Sequence, residues 1–295
     1  MKMVKKILFG LVAVAAVLSL ASCGIKKDDP EGIIKGTAGN YSVNYKYEGD
    51  SNDTYRAYKP TGFKHAGELA KITFDKNDIS KAGNSKFGVI FGLKEDKQGN
   101  TTYKNFFIVG LGANGDYYVS KFEKVVDIQA ENFGAGKTYT DHVSSTGSNG
   151  EKETLIPKTD GSYGSNGIFS GSLYGPSNED KYAYVWYQVY KDGSITIKIG
   201  NIDENSSEYT TWKNKTDYER VDIEPPFTAT LATFEIPKTQ TGYSTWEPST
   251  TNHSQINAPQ DYVAIYARVQ GNSTLNGKVK FVKDFCEAED IEPID

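Results

Sequence analysis

The sequence predicts an all-β sandwich or barrel domain, with the sandwich preferred, and three observations support this prediction. Short segments with alternating apolar and polar residues recur along the chain, separated by Gly, Asn and Asp. The chain contains 20 Tyr, 14 Phe and 29 Gly residues and has a negative mean hydropathy, which is typical of β proteins with polar loops. No helical pattern separates the short strands, so a helical bundle or a coiled coil finds no support.

The first 24 residues have the parts of an export signal. A short cationic start precedes an apolar run over residues 7–18, which is shorter than the ~20 residues that a membrane-spanning helix needs. Residues 20–23 read Leu-Ala-Ser-Cys and resemble the lipobox of bacterial lipoproteins. The resemblance implies cleavage before Cys23 and lipidation of its thiol. Two or three acyl chains, such as palmitate, are enough for stable membrane anchoring.

The same signal sets the expected domain boundaries. Residues 1–22 form the lipoprotein signal peptide, and residues 23–36 form a polar tether that begins at the lipidated cysteine. The β-sandwich domain is expected over residues 37–286, and an acidic tail over residues 287–295. The residues directly after Cys23 resemble the sorting signals of lipoproteins that are carried outward. We therefore expect a lipid-anchored protein at the outer membrane or the cell surface.

The composition argues against several functional classes. Removing the signal peptide with its three lysines lowers the formal net charge from −5 to −8, which disfavours nucleic-acid binding. The second cysteine, Cys286, has no free partner once Cys23 is lipidated, so we expect no disulfide and a small buried thiol. His65, His142 and His253 are far apart in the sequence, so a zinc site is not expected.

The alternating segments predict nine strands, over residues 41–47, 69–74, 86–93, 105–111, 117–122, 182–190, 195–199, 262–269 and 278–285. The Asn114–Gly115 pair stands between two apolar runs and predicts a hairpin. Residues 140–180 and 203–260 are rich in turn-forming residues and predict two long loop insertions, the second with short strands inside it.

Three groups of segments resemble concanavalin A-like lectin/glucanase jelly rolls, a fold shared with laminin-G domains. The groups are residues 86–92, 105–111 and 114–122; Trp186 with residues 189–197; and residues 262–266 with 279–285. The resemblance implies a jelly-roll β-sandwich with two long loop insertions. Proteins of this fold bind sugars, bind proteins or hydrolyse glycosides, so the function has to be argued from a site.

The catalytic motif of the glucanases has no good match in this chain. Those enzymes carry carboxylates in a Glu-x-Asp-x-x-Glu pattern on one face of a strand. The nearest pattern here is Glu48-x-Asp50-x-x-Asp53, which lies in a Gly-, Ser- and Asn-rich turn. We predict no catalytic residues from the sequence. Calcium is the one candidate cofactor, with oxygen ligands from residues 75–78 or from Glu95 and Asp96, although lone acidic loop residues are usually solvated charges.

The strand over residues 182–190 carries the candidate binding site. Because side chains alternate along a strand, Ala183, Val185 and Tyr187 point to one face and the larger rings to the other. Exposed flat rings beside an amide would suit a sugar platform. Alternatively, an insertion covers these rings and they pack beneath it. The candidate ligand-binding residues are Tyr182, Tyr184, Trp186 and Tyr190, together with Trp212 and Trp246 from the second insertion.

These observations predict a lipid-anchored, surface-exposed binding protein whose partner is a glycan or an extracellular protein. The alternatives are a glycoside-active enzyme with carboxylates on separate strands and a structural envelope lipoprotein. Clustered exposed aromatic residues favour binding, two carboxylates about 5–10 Å apart favour glycoside chemistry, and a flat polar surface favours a structural role. The three hypotheses therefore differ in what the open face of a sheet presents.

Overall fold

The structure, a computed structural model, describes part of the chain. The described residues are 32–37, 39–48, 50–51, 54–64, 67–125, 145–146, 152–163, 173–175, 178–215, 223–243 and 262–283. The predicted signal peptide, the first nine residues of the tether, the acidic tail and both cysteines lie outside these ranges. None of the helices among the described residues is long and apolar enough to cross a membrane.

Strands dominate the described residues. They are β1 (Ile34–Thr37), β2 (Asn40–Tyr47), β3 (Thr54–Lys64), β4 (Gly67–Phe74), β5 (Lys86–Gln98), β6 (Thr101–Gly112), β7 (Tyr117–Val125), β8 (Ser145–Thr146), β9 (Lys152–Leu155), β10 (Lys181–Val189), β11 (Ile195–Ile202), β12 (Phe227–Ile236), β13 (Tyr262–Gln270) and β14 (Ser273–Lys283). The helical elements are a 3₁₀ turn (Ile79–Lys81), α1 (Ser207–Lys213) and α2 (Lys238–Thr241).

The strands form two seven-stranded antiparallel sheets. Sheet A has the order β1-β2-β14-β4-β10-β11-β12, and sheet B has the order β3-β13-β5-β6-β7-β9-β8. The inner faces of the two sheets share one large hydrophobic core. The Phe91 ring of sheet B stacks on the Tyr187 ring of sheet A, with centroids 4.4 Å apart. The all-β sandwich predicted from the sequence is therefore confirmed.

The face assignment of β10 also agrees with the predicted alternation. Ala183, Val185 and Tyr187 point into the core between the sheets. Tyr184 and Trp186 belong to a separate apolar cluster on the opposite face of sheet A. We call the face of each sheet that points away from the shared core its outer face.

Five strands, β1, β3, β8, β9 and β12, are not among the nine predicted from the sequence, although short strands were expected inside the second insertion. β12 lies inside the segment that the sequence analysis assigns to the second insertion, yet it pairs with β11 at the edge of sheet A. β3 runs for 11 residues and contains buried Arg56 and the proline Pro60, both of which weaken a strand pattern. Proline is tolerated there because β3 is the edge strand of sheet B.

Helix α1 places two aromatic side chains against sheet A. The Ser206 side chain caps its N-terminus and accepts a hydrogen bond from the Tyr209 backbone N–H at 3.1 Å. Tyr209 and Trp212 are three residues apart, so they share one face of the helix, and both are buried. This short helix therefore provides a cover over part of the outer face of sheet A.

Candidate functional site

The four predicted aromatic residues in and directly after β10, Tyr182, Tyr184, Trp186 and Tyr190, which we call the aromatic ladder, lie on the outer face of sheet A, but helix α1 covers the two central ones. Tyr184 and Trp186 both have 0% exposure. They pack in one cluster with Leu69 of β4 and with Tyr209 and Trp212 of the helix. The two rings thus act as a small second core, and neither presents an open ring face in this structure. The expectation of partly exposed rings is not met at these two positions.

The other predicted residues have different surroundings. Tyr182 and Tyr190, at the two ends of the ladder, are half-buried. Trp212 is 3% exposed, and its indole Nε1 donates a hydrogen bond to the Ile223 carbonyl at 3.0 Å. Trp246 lies outside the described residues. Tyr182 therefore lies between the buried residues Tyr184 and Trp186 and the part of the outer face of sheet A that remains accessible.

Tyr182 forms a surface aromatic pair with Tyr174, which the sequence analysis did not single out. The backbones of the two residues exchange hydrogen bonds of 2.9 and 3.0 Å. Their ring centroids are 6.2 Å apart with an interplanar angle of 40°. Both side chains are half-buried, so each ring keeps part of its surface open. Two backbone hydrogen bonds therefore hold Tyr174 and Tyr182 side by side.

Charged groups surround this aromatic pair. The Lys71 ammonium lies 4.6 Å from the Tyr182 ring centroid and 5.3 Å from that of Tyr184. Its Nζ also donates to Glu204 Oε1 at 2.8 Å. The Tyr184 hydroxyl donates a further hydrogen bond to the same carboxylate oxygen. We call Lys71, Tyr174, Tyr182, Tyr184 and Glu204 the tyrosine patch.

The surroundings of Glu204 and Tyr184 shift the pKa values of both side chains away from neutral pH. Burial raises the pKa of Glu204, but the hydrogen bonds from Lys71 and Tyr184, together with the charges of Lys71 and Lys280, outweigh burial and hold that pKa below the usual 4.5. Burial, with a smaller contribution from the Glu204 charge, raises the pKa of the Tyr184 hydroxyl. At neutral pH the carboxylate is therefore ionised and the hydroxyl remains a donor.

A set of lysines continues from the tyrosine patch across the outer face of sheet A. In β2, Tyr41 and Val43 point into the core, so the alternate residue Lys46 points outward. The same alternation directs further lysines of β1, β4 and β14 to this face. We call the set the lysine face; its members are Lys35, Lys46, Lys71, Lys278 and Lys280.

The strand register joins the lysine face to the tyrosine patch. Lys278 of β14 is paired with Thr73 of β4, and Thr73 is in turn paired with Tyr182 of β10. In the next row, Lys280 is paired with Lys71, which is paired with Tyr184. Lysines and tyrosines thus share two adjacent rows, and neighbouring strands lie about 4.8 Å apart.

Few carboxylates accompany these lysines. Glu48 pairs with Lys46 at 2.7 Å, and Glu204 pairs with Lys71 at 2.8 Å. Glu68 is the one acidic residue within β1, β2, β4 and β14, and its cross-strand partner Tyr187 shows that it faces the core side. The whole chain has 38 acidic and 33 basic residues. Positive charge is therefore concentrated on this face of an acidic protein.

A second polar region lies on the outer face of sheet B, and the sequence analysis missed it. The cross-strand register aligns Arg56, Arg268 and Lys86 in one row, with exposures of 4%, 7% and 6%. Lys86 Nζ lies 3.2 Å from Asp116 Oδ2. The chain has only three arginines against thirty lysines, so two arginines in one strand row are a signal that the sequence does contain.

Tyrosines occupy the adjacent row of sheet B. The glycines Gly110 and Gly88 lie between Tyr118 and Tyr266 in the strand register, the Tyr118 ring lies over Gly110, and the Tyr118 hydroxyl donates to the Tyr266 hydroxyl at 2.8 Å. These rings are 4% and 0% exposed. The tyrosine row and the row of cations on sheet B are therefore both nearly fully covered.

Carboxylates that could serve catalysis lie on separate elements. Among the described residues, the buried carboxylates are Glu68 on the inner side of β4, Asp116 in the turn before β7, and Glu153 on β9. Glu153 accepts a hydrogen bond from the Ser120 hydroxyl at 2.8 Å. Their positions bring no strand-face pair of carboxylates into one row, so the geometry adds no support to the glycoside-active alternative.

The residues that were considered as calcium ligands hold their own turns. Asp75 Oδ1 accepts hydrogen bonds from the Asn77 backbone N–H at 2.8 Å and from its side-chain amide at 3.0 Å. Asp78 accepts from Lys81 Nζ at 2.7 Å and from the Asn276 amide at 3.0 Å. Within the ranges that the structure describes, no three His, Cys, Asp or Glu side chains are grouped so as to hold a metal ion. Calcium binding stays a prediction.

Comparison with known proteins assigns this chain to no family, so its structural class is defined by its fold. No protein-family model matches this chain, and no curated protein matches it. The structure thus defines an all-β sandwich with an aromatic and basic outer face on sheet A.

Proposed function

We propose that this chain is a lipid-anchored, surface-exposed binding protein that engages a glycan through the outer face of sheet A. The lipid anchor and the location rest on the lipobox-like segment that ends at Cys23. The observation that carries the binding function is the half-buried pair Tyr174 and Tyr182, with Lys71 and Glu204 beside it.

The chemistry of the tyrosine patch suits a sugar. A partly open tyrosine ring offers an apolar surface with a polar tip, to which the flat C–H face of a sugar ring can pack. The ammonium of Lys71 and the carboxylate of Glu204 offer a donor and an acceptor within the same patch. The sheet and the backbone bonds between the two tyrosines fix these groups in advance, which reduces the entropy lost on binding.

Polar side chains extend the same surface beyond the patch. Asn40, Ser42 and Asn44 alternate along the outer face of β2, and Thr274 and Asn276 do so along β14. Amides and hydroxyls both donate and accept hydrogen bonds, as sugar hydroxyls do. An extracellular protein is the alternative partner for the same face, and it would depend on the same residues.

A glycan array with the full-length lipoprotein in detergent tests the proposal. We expect the parent protein to bind defined glycans on the array. The double variant Tyr174→Ala/Tyr182→Ala should bind them with a free energy that is weaker by about 2 kcal/mol. The matched control is Tyr163→Ala, because Tyr163 is a 46% exposed tyrosine away from the patch. A parent protein that binds no glycan, or a control that loses as much binding as the test variant, would refute the proposal.

A further inference from the structure

We infer that the glycan is acidic and that the lysine face recognises its carboxylate or sulfate groups. This inference rests on the proposed glycan-binding function and adds the chemical class of the ligand. Its basis is the position of Lys71, Lys278 and Lys280 in the two strand rows that also hold Tyr182 and Tyr184.

The first step is the segregation of charge. The chain as a whole carries a formal net charge of −5. The outer face of β1, β2, β4 and β14 nevertheless carries five lysines, two of which pair with the carboxylates Glu48 and Glu204. A surface of one sign on a protein of the opposite sign attracts an oppositely charged partner and repels positively charged ones.

The second step is the cost of this arrangement in the unbound protein. Lys280 and Lys71 are direct cross-strand partners. Like charges that face each other across two strands destabilise a sheet. Glu204 lies 2.8 Å from Lys71 and also feels the charge of Lys280, so one carboxylate offsets part of the repulsion between two ammonium groups. A pair of like charges that lowers stability, such as Lys71 and Lys280 on an open surface, is expected at a site that serves binding.

The third step is the spacing of the cations. Lys278 and Lys280 are two residues apart on β14 and point to the same face, so their Cα atoms are about 6.6–6.8 Å apart. Lys35 is paired with Ser42, and Ser42 is paired with Lys278, so Lys35 lies two strands, or about 9.6 Å, from Lys278. These spacings spread positive charge over several neighbouring positions, as a polymer with repeated anionic groups requires.

The side chains between the lysines favour a polysaccharide over a lipid surface. Electrostatic attraction to anionic lipid headgroups depends on the lysines themselves. Here Asn40 stands opposite Lys280, Ser42 opposite Lys278, and Thr274 opposite Lys46. The amides and hydroxyls match the hydroxyls of a sugar, and the tyrosine patch at the end of the rows matches its rings. We therefore assign the face to an acidic polysaccharide.

The experiment measures binding of the full-length lipoprotein in detergent to polygalacturonate and to dextran of similar size, over a series of salt concentrations. The test variant is Lys278→Gln/Lys280→Gln. The control variant is Lys97→Gln/Lys191→Gln, which removes the same charge from exposed lysines elsewhere. We expect the parent to prefer polygalacturonate, the test variant to bind it at least tenfold more weakly, and the control to stay within twofold. Salt should weaken the parent more than the test variant.

The alternative outcomes separate the inference from the proposed function. Equal binding of the parent to both polymers would overturn the inference and keep the glycan-binding function. Binding to neither polymer, together with an array that shows no glycan signal, would overturn both. Binding to vesicles that contain anionic lipid, lost in the test variant while polygalacturonate does not bind, would assign the lysine face to a membrane and overturn the inference.

Discussion

The carboxylate of Glu204 lies 2.8 Å from the ammonium of Lys71, and it accepts a hydrogen bond from the buried Tyr184 hydroxyl as well. Through this carboxylate, a half-exposed lysine of β4 is tied to the aromatic cluster beneath helix α1. The contact therefore connects the aromatic cluster around Trp186 to the lysine face that we propose for binding.

The first prediction concerns the pH dependence of this contact. The folded-state pKa of Glu204 lies below 4.5, because its hydrogen bonds and the charges of Lys71 and Lys280 together outweigh burial. Its contribution to stability is therefore present above about pH 4.5 and is lost as the pH falls through the folded-state pKa. We expect Glu204→Gln to lower the melting temperature at pH 7 and to have little effect at pH 3, as measured by thermal melts.

Glu224→Gln provides the control for that series. Glu224 also pairs with a lysine, with 2.5 Å between its Oε2 and Lys198 Nζ, but it contacts no tyrosine hydroxyl in the described structure. An equal drop in melting temperature for Glu204→Gln at both pH values would show that the loss comes from the shape of the side chain and contradict an electrostatic role.

The second prediction concerns the centre of the ladder. Trp186 is fully buried beneath helix α1, so Trp186→Ala should lower the free energy of unfolding by about 3–5 kcal/mol. Tyr190 is half-buried at the end of the strand, so Tyr190→Ala should cost clearly less. Chemical denaturation measures both values. A Trp186→Ala variant as stable as the parent would show that the ring is not part of a packed cluster.

The third prediction concerns the outer face of sheet B. A Cβ atom on Gly110 would lie 2.6 Å from the Tyr118 ring, so Gly110→Ala should displace the ring and break its hydrogen bond to Tyr266. We expect a loss of about 1–3 kcal/mol of stability. A double-mutant cycle supplies the control, because most of this loss should vanish in a Tyr118→Ala background. Additive losses would mean that the clash is not with Tyr118.

The fourth prediction concerns the anchor. Cys23→Ala should abolish incorporation of a radiolabelled fatty acid and release the protein from the membrane fraction, because the lipobox-like segment has no second cysteine. Cys286→Ala is the matched control and should keep both the label and membrane retention. Label that persists in Cys23→Ala would contradict the anchor.

The alternation of residues predicted β10 and the division of its side chains correctly, because a strand of period two leaves few choices. It could not decide whether the outer rings are open. That outcome depends on α1, which begins 18 residues after the end of β10 and packs Tyr209 and Trp212 in one cluster with Trp186. Local pattern determines which side chains share a face, whereas tertiary packing determines what covers them.

The lysine face could not be predicted from the sequence for a similar reason. Lys71 and Lys280 are more than 200 positions apart, and only the strand order β2-β14-β4 makes them neighbours. β3 was missed because buried Arg56 and Pro60 interrupt its alternation. A buried charged residue such as Arg56 breaks the alternation of apolar and polar residues by which a strand is predicted from its sequence.

Mass spectrometry of the full-length protein can map where a bound acidic glycan protects lysine amines from chemical acetylation, which tests the proposed binding face most directly. We expect Lys71, Lys278 and Lys280 to become less reactive when polygalacturonate is bound, while the exposed Lys97 and Lys191 react equally with and without it. Bound polymer that protects Lys97 or Lys191 and leaves Lys278 and Lys280 fully reactive would contradict the proposed binding face.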